Sequence, residues 1–177
     1  MNNTLALIRE KNLWRCLKRY YLLMEKESYI TGFVDGEGSF NISFTLRKKM
    51  KFGIEIRPSF SVSQNMRDCK LLEEIRNFFG CGSVRFTRRD NCYKYETRSI
   101  TDLTKKIIPH FERYPLRTSK QHSFVIFKEV CEMIKKNLHL TKEGIIKIID
   151  LAYQMNNLGA RRYKKEYLLM ILDKMKI

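Results

Sequence analysis

The sequence has no apolar run approaching the ~18 residues of a membrane span. It has no C-x-x-C pair and no histidine near a cysteine at zinc-ligand spacing, so neither a membrane helix nor a structural zinc site organises it. Its five cysteines, Cys16, Cys69, Cys81, Cys92 and Cys131, are odd in number and scattered. They read as reduced thiols of an intracellular compartment. His110, His122 and His139 are equally isolated, as surface or core histidines are. No secretory cleavage pattern is visible. Acidic residues are scarce: 19 Asp and Glu face 35 Lys and Arg, for a formal charge of +16 and a pI of about 9.8. That balance points to nucleic acid, where phosphate neutralisation dominates affinity. An anionic membrane surface is the rival, but the charge is spread along the chain and forms no juxtamembrane block.

The 177 residues suffice for one domain, and 44% hydrophobic content supplies a core without staples. The chain is organised around Tyr29-Ile-Thr-Gly-Phe-Val-Asp-Gly-Glu-Gly-Ser-Phe40. Gly32 and Gly36 are four apart on one helical face, where missing side chains admit a second backbone closely. Ile30, Phe33 and Val34 surround that seam, and Asp35 and Glu37 arrive where Gly36 and Gly38 should end the helix. Carboxylates there meet the partial negative charge of a helix C-terminus, so a positive group is expected beside them. A divalent cation is one reading. An exposed acidic turn capped by glycine is the other.

Residues 1–28 read as an amphipathic helical extension, with Trp14, Leu17, Tyr21 and Met24 at helical spacing. A mitochondrial transit peptide is the alternative, to which Glu10, Glu25 and Glu27 are poorly suited. Residues 29–177 read as a single domain. Phe40, Ile42, Phe44 and Leu46 alternate with Asn41, Ser43, Thr45 and Arg47 in a half-buried strand. Beyond the basic linker Arg47-Lys-Lys-Met-Lys51, the apolar Phe52, Ile54, Ile56, Phe60 and Val62 alternate with Glu55, Arg57, Ser59, Ser61 and Ser63. Together they form a long hairpin with a polar outer face. Pro58, on the apolar parity, marks a bulge or an edge, because it cannot donate to a ladder. Gln64 ends that strand on the apolar parity and needs a partner. A helix follows, with Asp68 as N-cap, an apolar stripe of Leu71, Leu72, Ile75, Phe78 and Phe79, and Gly80 as its stop.

Strands over 83–89 and 93–99 then flank a turn at Asp90-Asn-Cys92. Arg85, Thr87 and Arg89 share one face, and Lys94, Glu96 and Arg98 the matching face of the partner. The choice is a solvated charged hairpin or a set of phosphate and base contacts, and a +16 chain favours the second. Thr101 is expected to cap a short helix ending near Pro109. Three further helices follow, marked by Phe124, Phe127, Cys131 and Ile134, by Ile145, Ile148, Ile149 and Ala152, and by Tyr167, Leu168, Ile171, Leu172 and Met175. The class is α+β, in the order αββαββα with extra C-terminal helices.

Ile30-Thr-Gly-Phe-Val-Asp-Gly-Glu-Gly38 closely resembles the signature of the LAGLIDADG homing endonucleases. It matches at Gly32, Asp35 and Gly38, and departs with Thr31 for a small alanine, Gly36 for another small residue and Glu37 for the usual aspartate. The element order is similar to the family's αββαββα fold over residues 29–155, whose four strands form an antiparallel DNA-binding saddle. One signature is present, and single-motif members act as homodimers. The resemblance therefore implies two protomers joined through Gly32, Phe33 and Gly36.

It also implies a site-specific endonuclease that cuts both strands of a long pseudo-palindromic duplex, with Mg²⁺ or another divalent cation such as Mn²⁺ as cofactor. Glu37 would be the acidic metal ligand and the Gly36 carbonyl the second contact, with Asp35 structural. Gln64 matches the family's water-orienting polar residue. Lys120, ahead of Arg117, matches the basic residue in Tyr114-Pro-Leu-Arg-Thr-Ser-Lys-Gln121, which completes a catalytic set of Glu37, Gln64 and Lys120. Asn41, Ser43, Arg47, Arg57, Ser59, Ser61, Arg85, Thr87, Arg89, Lys94 and Arg98 are the candidate DNA contacts. Two alternatives stay open. One is an intron RNA maturase, with host intron RNA as partner and Phe86, Tyr93 and Tyr95 stacking on bases. The other is a non-catalytic DNA-binding protein on the same fold. The implied location is a mitochondrion, a chloroplast or a prokaryotic cytoplasm.

Overall fold

The computed structural model describes residues 25–88, 90–155 and 161–174. The expected helix around Trp14, Leu17, Tyr21 and Met24 lies outside the described residues, as do Arg89 and Met175. Helix α1 runs from residue 25, the first described, to residue 37, so a boundary after residue 28 would fall inside it. Ile30 and Val34 are buried along its inner side. Gly38 opens strand β1 (Gly38–Leu46) directly. A Cβ on Gly38 would stand 2.5 Å from Val34 Cγ1 and 2.6 Å from Val34 O, so helix passes into strand through a contact that only glycine permits.

β1 pairs antiparallel with β2 (Ile54–Asn65), β2 with β4 (Cys92–Thr97), and β4 with β3 (Ser83–Thr87), in the order β1-β2-β4-β3. The alternation expected of the first hairpin is present: Phe40, Ile42, Phe44, Ile54, Phe60 and Val62 are buried on one face. The register sets Asn41 opposite Ser59 and Ser43 opposite Arg57 on the other. Pro58 lies opposite Ile42, in the part of β2 that β4 does not reach, since their pairing begins at Phe60. The edge reading of that proline is the one observed. β3 and β4 are shorter than their alternation suggested, because Asn91 adopts a left-handed φ of 47° and turns the chain just before Cys92, which is already in the strand.

Helix α2 (Cys69–Phe79) buries Leu72, Ile75 and Phe79, and ends at Gly80 with φ 58°. Asp68 stands at its N-cap without a side-chain bond. Asn65 does the capping instead, accepting from Arg67 N at 3.1 Å at the 3₁₀ turn that leads in. Ser99, not Thr101, caps the next stretch, its Oγ accepting from Asp102 N at 3.3 Å. That stretch does not stop at Pro109. After α3 (Ile100–Asp102), a wider π turn over Leu103–Ile107 leads into α4 (Ile108–Arg113), whose first turn holds the proline where a missing N–H costs least.

α5 (Lys120–Lys135) lies on the apolar face of the sheet. Phe40 centres the core there, with ring centroids 5.1 Å from Phe60, 5.4 Å from Phe111 and 5.3 Å from both Phe124 and Phe127. Each such pair adds roughly 0.5–1.5 kcal/mol beyond its area burial. α6 (Lys142–Gln154) and α7 (Lys165–Lys174) extend the helical side, burying Ile145, Ile148, Ile149, Leu168 and Leu172. Arg161 ties this extension to the edge strand: its guanidinium donates to Ile42 O at 3.2 Å and to Ala152 O, over the Tyr153 ring. Among the described residues, no helix is long and apolar enough to cross a membrane.

Candidate active site and nucleic-acid interface

The end of α1 is held by the segment that enters α5. Asp35 Oδ2 accepts from Arg117 N at 2.7 Å, and Oδ1 accepts from Thr118 N at 3.2 Å and from Thr118 Oγ1 at 2.6 Å. Partial desolvation opposes ionisation of Asp35, but these bonds and the nearby Lys120 charge outweigh it and hold the carboxyl below its ordinary value. Asp35 is a strut, in line with its structural reading. Thr118 is the partner that periodicity had no means of naming, because the two residues are 83 apart in sequence.

Lys120, the first residue of α5, sends its ammonium back over the last turn of α1. Nζ donates to Val34 O at 3.2 Å, to Asp35 O at 2.9 Å and to Gly36 O at 2.6 Å. The positive group expected at this helix end is therefore present in the chain itself. Burial lowers the Lys120 pKa, against the charges of Asp35 and Glu37 that favour its ionised form. Arg117 meets the same helix end through its backbone N–H. Glu37 is exposed beside these carbonyls. Among the described residues no group of three or more His, Cys, Asp or Glu side chains is arranged to hold a metal ion. An exposed carboxylate next to helix-end carbonyls that already draw an ammonium is a donor set that suits a hard cation.

The register pairs Gly38 with Val62, which brings the end of β2 alongside the end of α1. Gln64, half-buried there, accepts from Asn65 N at 2.9 Å through Oε1, so its partner is the adjacent backbone. Thr31, one of the signature's departures, is buried with its Oγ1 3.0 Å from His110 Nε2 and 3.5 Å from Tyr114 O. His110 is thus a core histidine that braces α1 against α4. Gly32 and Gly36 of α1 are exposed, and among the described residues a Cβ on either would meet nothing within 4 Å. Half-buried Phe33 stacks there on exposed Tyr29 at 6.3 Å.

The polar face of the sheet carries the expected residues, several of them engaged. Ser43 Oγ donates to Arg57 O at 3.2 Å, and Arg85 Nε donates to Ser83 Oγ at 3.2 Å. Arg47 and Arg57 both reach Glu55, while Lys94 and Arg98 reach Glu96. Asn41 is exposed and Thr87 half-buried, whereas Ser59 and Ser61 are covered by their neighbours at 7% and 6% exposure. Tyr95 is not available to stack on bases: it pairs with Val62, points into the core and is 0% exposed. Phe86 remains 43% exposed, packed on Tyr93 at 5.2 Å. On the helical side Lys128 pairs with Glu112, Lys147 with Glu129 and Lys165 with Asp150.

A helix with an acidic end beside a basic four-stranded sheet face defines an αββαββα domain. The model of the LAGLIDADG endonuclease family matches residues 30–131, and the chain belongs to that family. A probable intron-encoded endonuclease 3 of Neurospora crassa is 37% identical over 127 residues, which cover 71% of this chain and 24% of that protein. Among solved structures, the homing endonuclease I-TnaI superposes with a TM-score of 0.74 at 37% identity, over 85% of this chain and 97% of that one. I-SmaMI, bound to an uncleaved DNA target in the presence of calcium ions, superposes with a TM-score of 0.75 at 32% identity, over 84% of this chain and 49% of that one. The chain thus spans about a quarter of the Neurospora relative and about half of I-SmaMI.

Proposed function

We propose that two copies of this chain pair through the bare side of α1 and cut both strands of a long pseudo-palindromic DNA duplex, chosen by the polar faces of their two sheets. The observation that carries the reading is the end of α1, where exposed Glu37 adjoins carbonyls that already hold a cation, at the foot of a basic sheet face. Glu37 and the Gly36 carbonyl would hold Mg²⁺ or Mn²⁺. Such an ion, when bound, neutralises phosphate charge and makes a water more acidic. Lys120 would yield Gly36 O and turn its charge to the scissile phosphate. Gln64, whose Oε1 accepts from Asn65 N, would turn its amide N–H groups to a water. Arg47, Arg57, Arg85, Lys94 and Arg98 would meet phosphates and base edges, with Asn41, Ser43 and Thr87 beside them. Calcium and DNA together in the I-SmaMI structure support the metal and the duplex. The intron-encoded Neurospora relative supports an intron-bearing compartment, organellar or prokaryotic.

The test is cleavage of a randomised duplex library by purified protein with Mg²⁺ or EDTA, and by Glu37→Gln. Cutting that requires both Mg²⁺ and Glu37 is expected. Cutting that survives EDTA or Glu37→Gln overturns the metal site. A second reading, an intron-RNA maturase, is favoured by one observation, the exposed Phe86 packed on Tyr93. Binding of structured intron RNA with no cutting of any duplex would select it.

A further inference from the structure

The sheet's polar face is where positive charge is needed, yet two carboxylates stand within it. Glu55 faces Thr45 across the hairpin, with Arg47 Nε and Arg57 Nη2 each 2.8 Å from its Oε2. These are ion pairs by distance, but neither is aligned as a hydrogen bond, and Oε2 has no hydrogen-bond partner among the described residues. Glu96 sits between Ser61 and Ser83 in the register, with Lys94 Nζ 3.4 Å from Oε1 and Arg98 Nη2 2.9 Å from Oε2. In each cluster the acid is the enclosed member. Glu55 is 22% exposed against 52% for Arg47 and 34% for Arg57, and Glu96 is 10% exposed against 38% for Lys94 and 56% for Arg98.

Partly exposed ion pairs contribute at most about 1 kcal/mol each, so stability is a weak reason for them. Phosphate affinity is no reason at all, since a carboxylate repels the DNA backbone. What the acids do is occupy the cations. A free lysine or arginine is captured by whichever phosphate is near, and such contacts carry no sequence information. A cation held by a carboxylate gains little from a random phosphate, and the carboxylate accepts only from an exocyclic amino group in the major groove, cytosine N4 foremost. We infer that Glu55 and Glu96 are specificity-determining residues: they trade general affinity for discrimination on the surface that meets DNA. The inference rests on the reading of this sheet as the DNA contact.

Glu96→Gln and Glu55→Gln keep the shape and remove the charge. Wild type and each variant are taken through binding selection from a randomised duplex library in Ca²⁺. Each is then titrated with the selected duplex and with a scrambled one across a salt series. For both variants the scrambled duplex should bind about three- to tenfold more tightly, with a salt slope steeper by about one. The ratio of selected to scrambled affinity should fall about tenfold or more. A thermal melt establishes that each variant is folded, and the two acids lie on different hairpins, so either one decides if the other melts early. A ratio within about twofold of wild type in a folded variant overturns the inference. Early melting of both assigns the acids to stability and overturns it too. A wild type that selects no duplex fails differently: it overturns the reading of the sheet as a DNA surface.

Discussion

A Cβ at Gly38 would stand 2.5 Å from Val34, whereas at Gly32 or Gly36 it would meet nothing within 4 Å. These glycines share one short stretch and answer to different demands. Gly38 is required by the protomer, because helix and strand touch there. Among the described residues nothing packs where a Cβ of Gly32 or Gly36 would stand, and each glycine costs α1 helix propensity. A residue that weakens its own element without local benefit fits the proposed pairing of two α1 helices.

The comparison breaks most easily at Gly38. Gly38→Val places its side chain against both the side chain and the carbonyl of Val34, and overpacking of this kind costs about 3 kcal/mol or more. Loss of the cooperative melt is expected, and a variant that melts like wild type would show that α1 and β1 have room to part.

The packed side of α1 is also where pH should act. Burial beside Phe78, Phe79 and Phe111 pushes the His110 pKa down from 6.5 to about 4. The unfolded chain therefore takes up this proton first. The contribution is complete above pH 6.5 and is lost as pH falls toward 4, by about 3 kcal/mol in all. Urea midpoints between pH 4 and 7 should show that slope in wild type and not in His110→Gln. Asp35 acts in a separate window: its pKa is lowered from 3.8, so its contribution is present above 3.8 and lost only below it.

How much of this was legible in the sequence depends on the range of the interaction. Period-2 alternation located β1 and β2 because one face of each is buried, and the stripe from Leu72 to Phe79 located α2 for the same reason. The signature named the bare glycines and Glu37. Capping was less legible, since Ser99 and Thr101 are both competent caps and only the fold chooses between them. Contacts that join distant segments were not legible at all: Thr31 to His110, Asp35 to Thr118 and the Lys120 ammonium to α1 lie 79 to 86 residues apart, where no periodicity speaks. Tyr95 was misplaced because its aromatic character suggested a base platform, while its strand parity sends it inward.

At the end of α1 the effect should be smaller and divided. Lys120→Met removes three charge-assisted bonds to carbonyls, worth about 1–2 kcal/mol once their partial exposure is discounted. It also frees Gly36 O. Calorimetry on DNA-free protein should therefore find Ca²⁺ bound more tightly by Lys120→Met than by wild type, although the variant melts earlier. Weaker binding would mean that the ammonium supports the metal site and does not compete with it.

The smallest effect is the sharpest, because its two parts have opposite sign. Gly32→Ala adds one methyl group to an open helix face, and alanine for glycine inside a helix stabilises by roughly 0.5–1 kcal/mol. If only the protomer mattered, the variant would melt higher at every concentration. At a two-fold seam the same methyl holds two backbones apart, so the dimer should weaken while the isolated protomer gains. Sedimentation at high concentration should then show a shift toward monomer, and melting at low concentration a small rise in Tm. A rise at both concentrations with association unchanged would remove Gly32 from the interface. A fall at low concentration would instead reveal a contact inside the protomer, and the contrast with Gly38 would disappear.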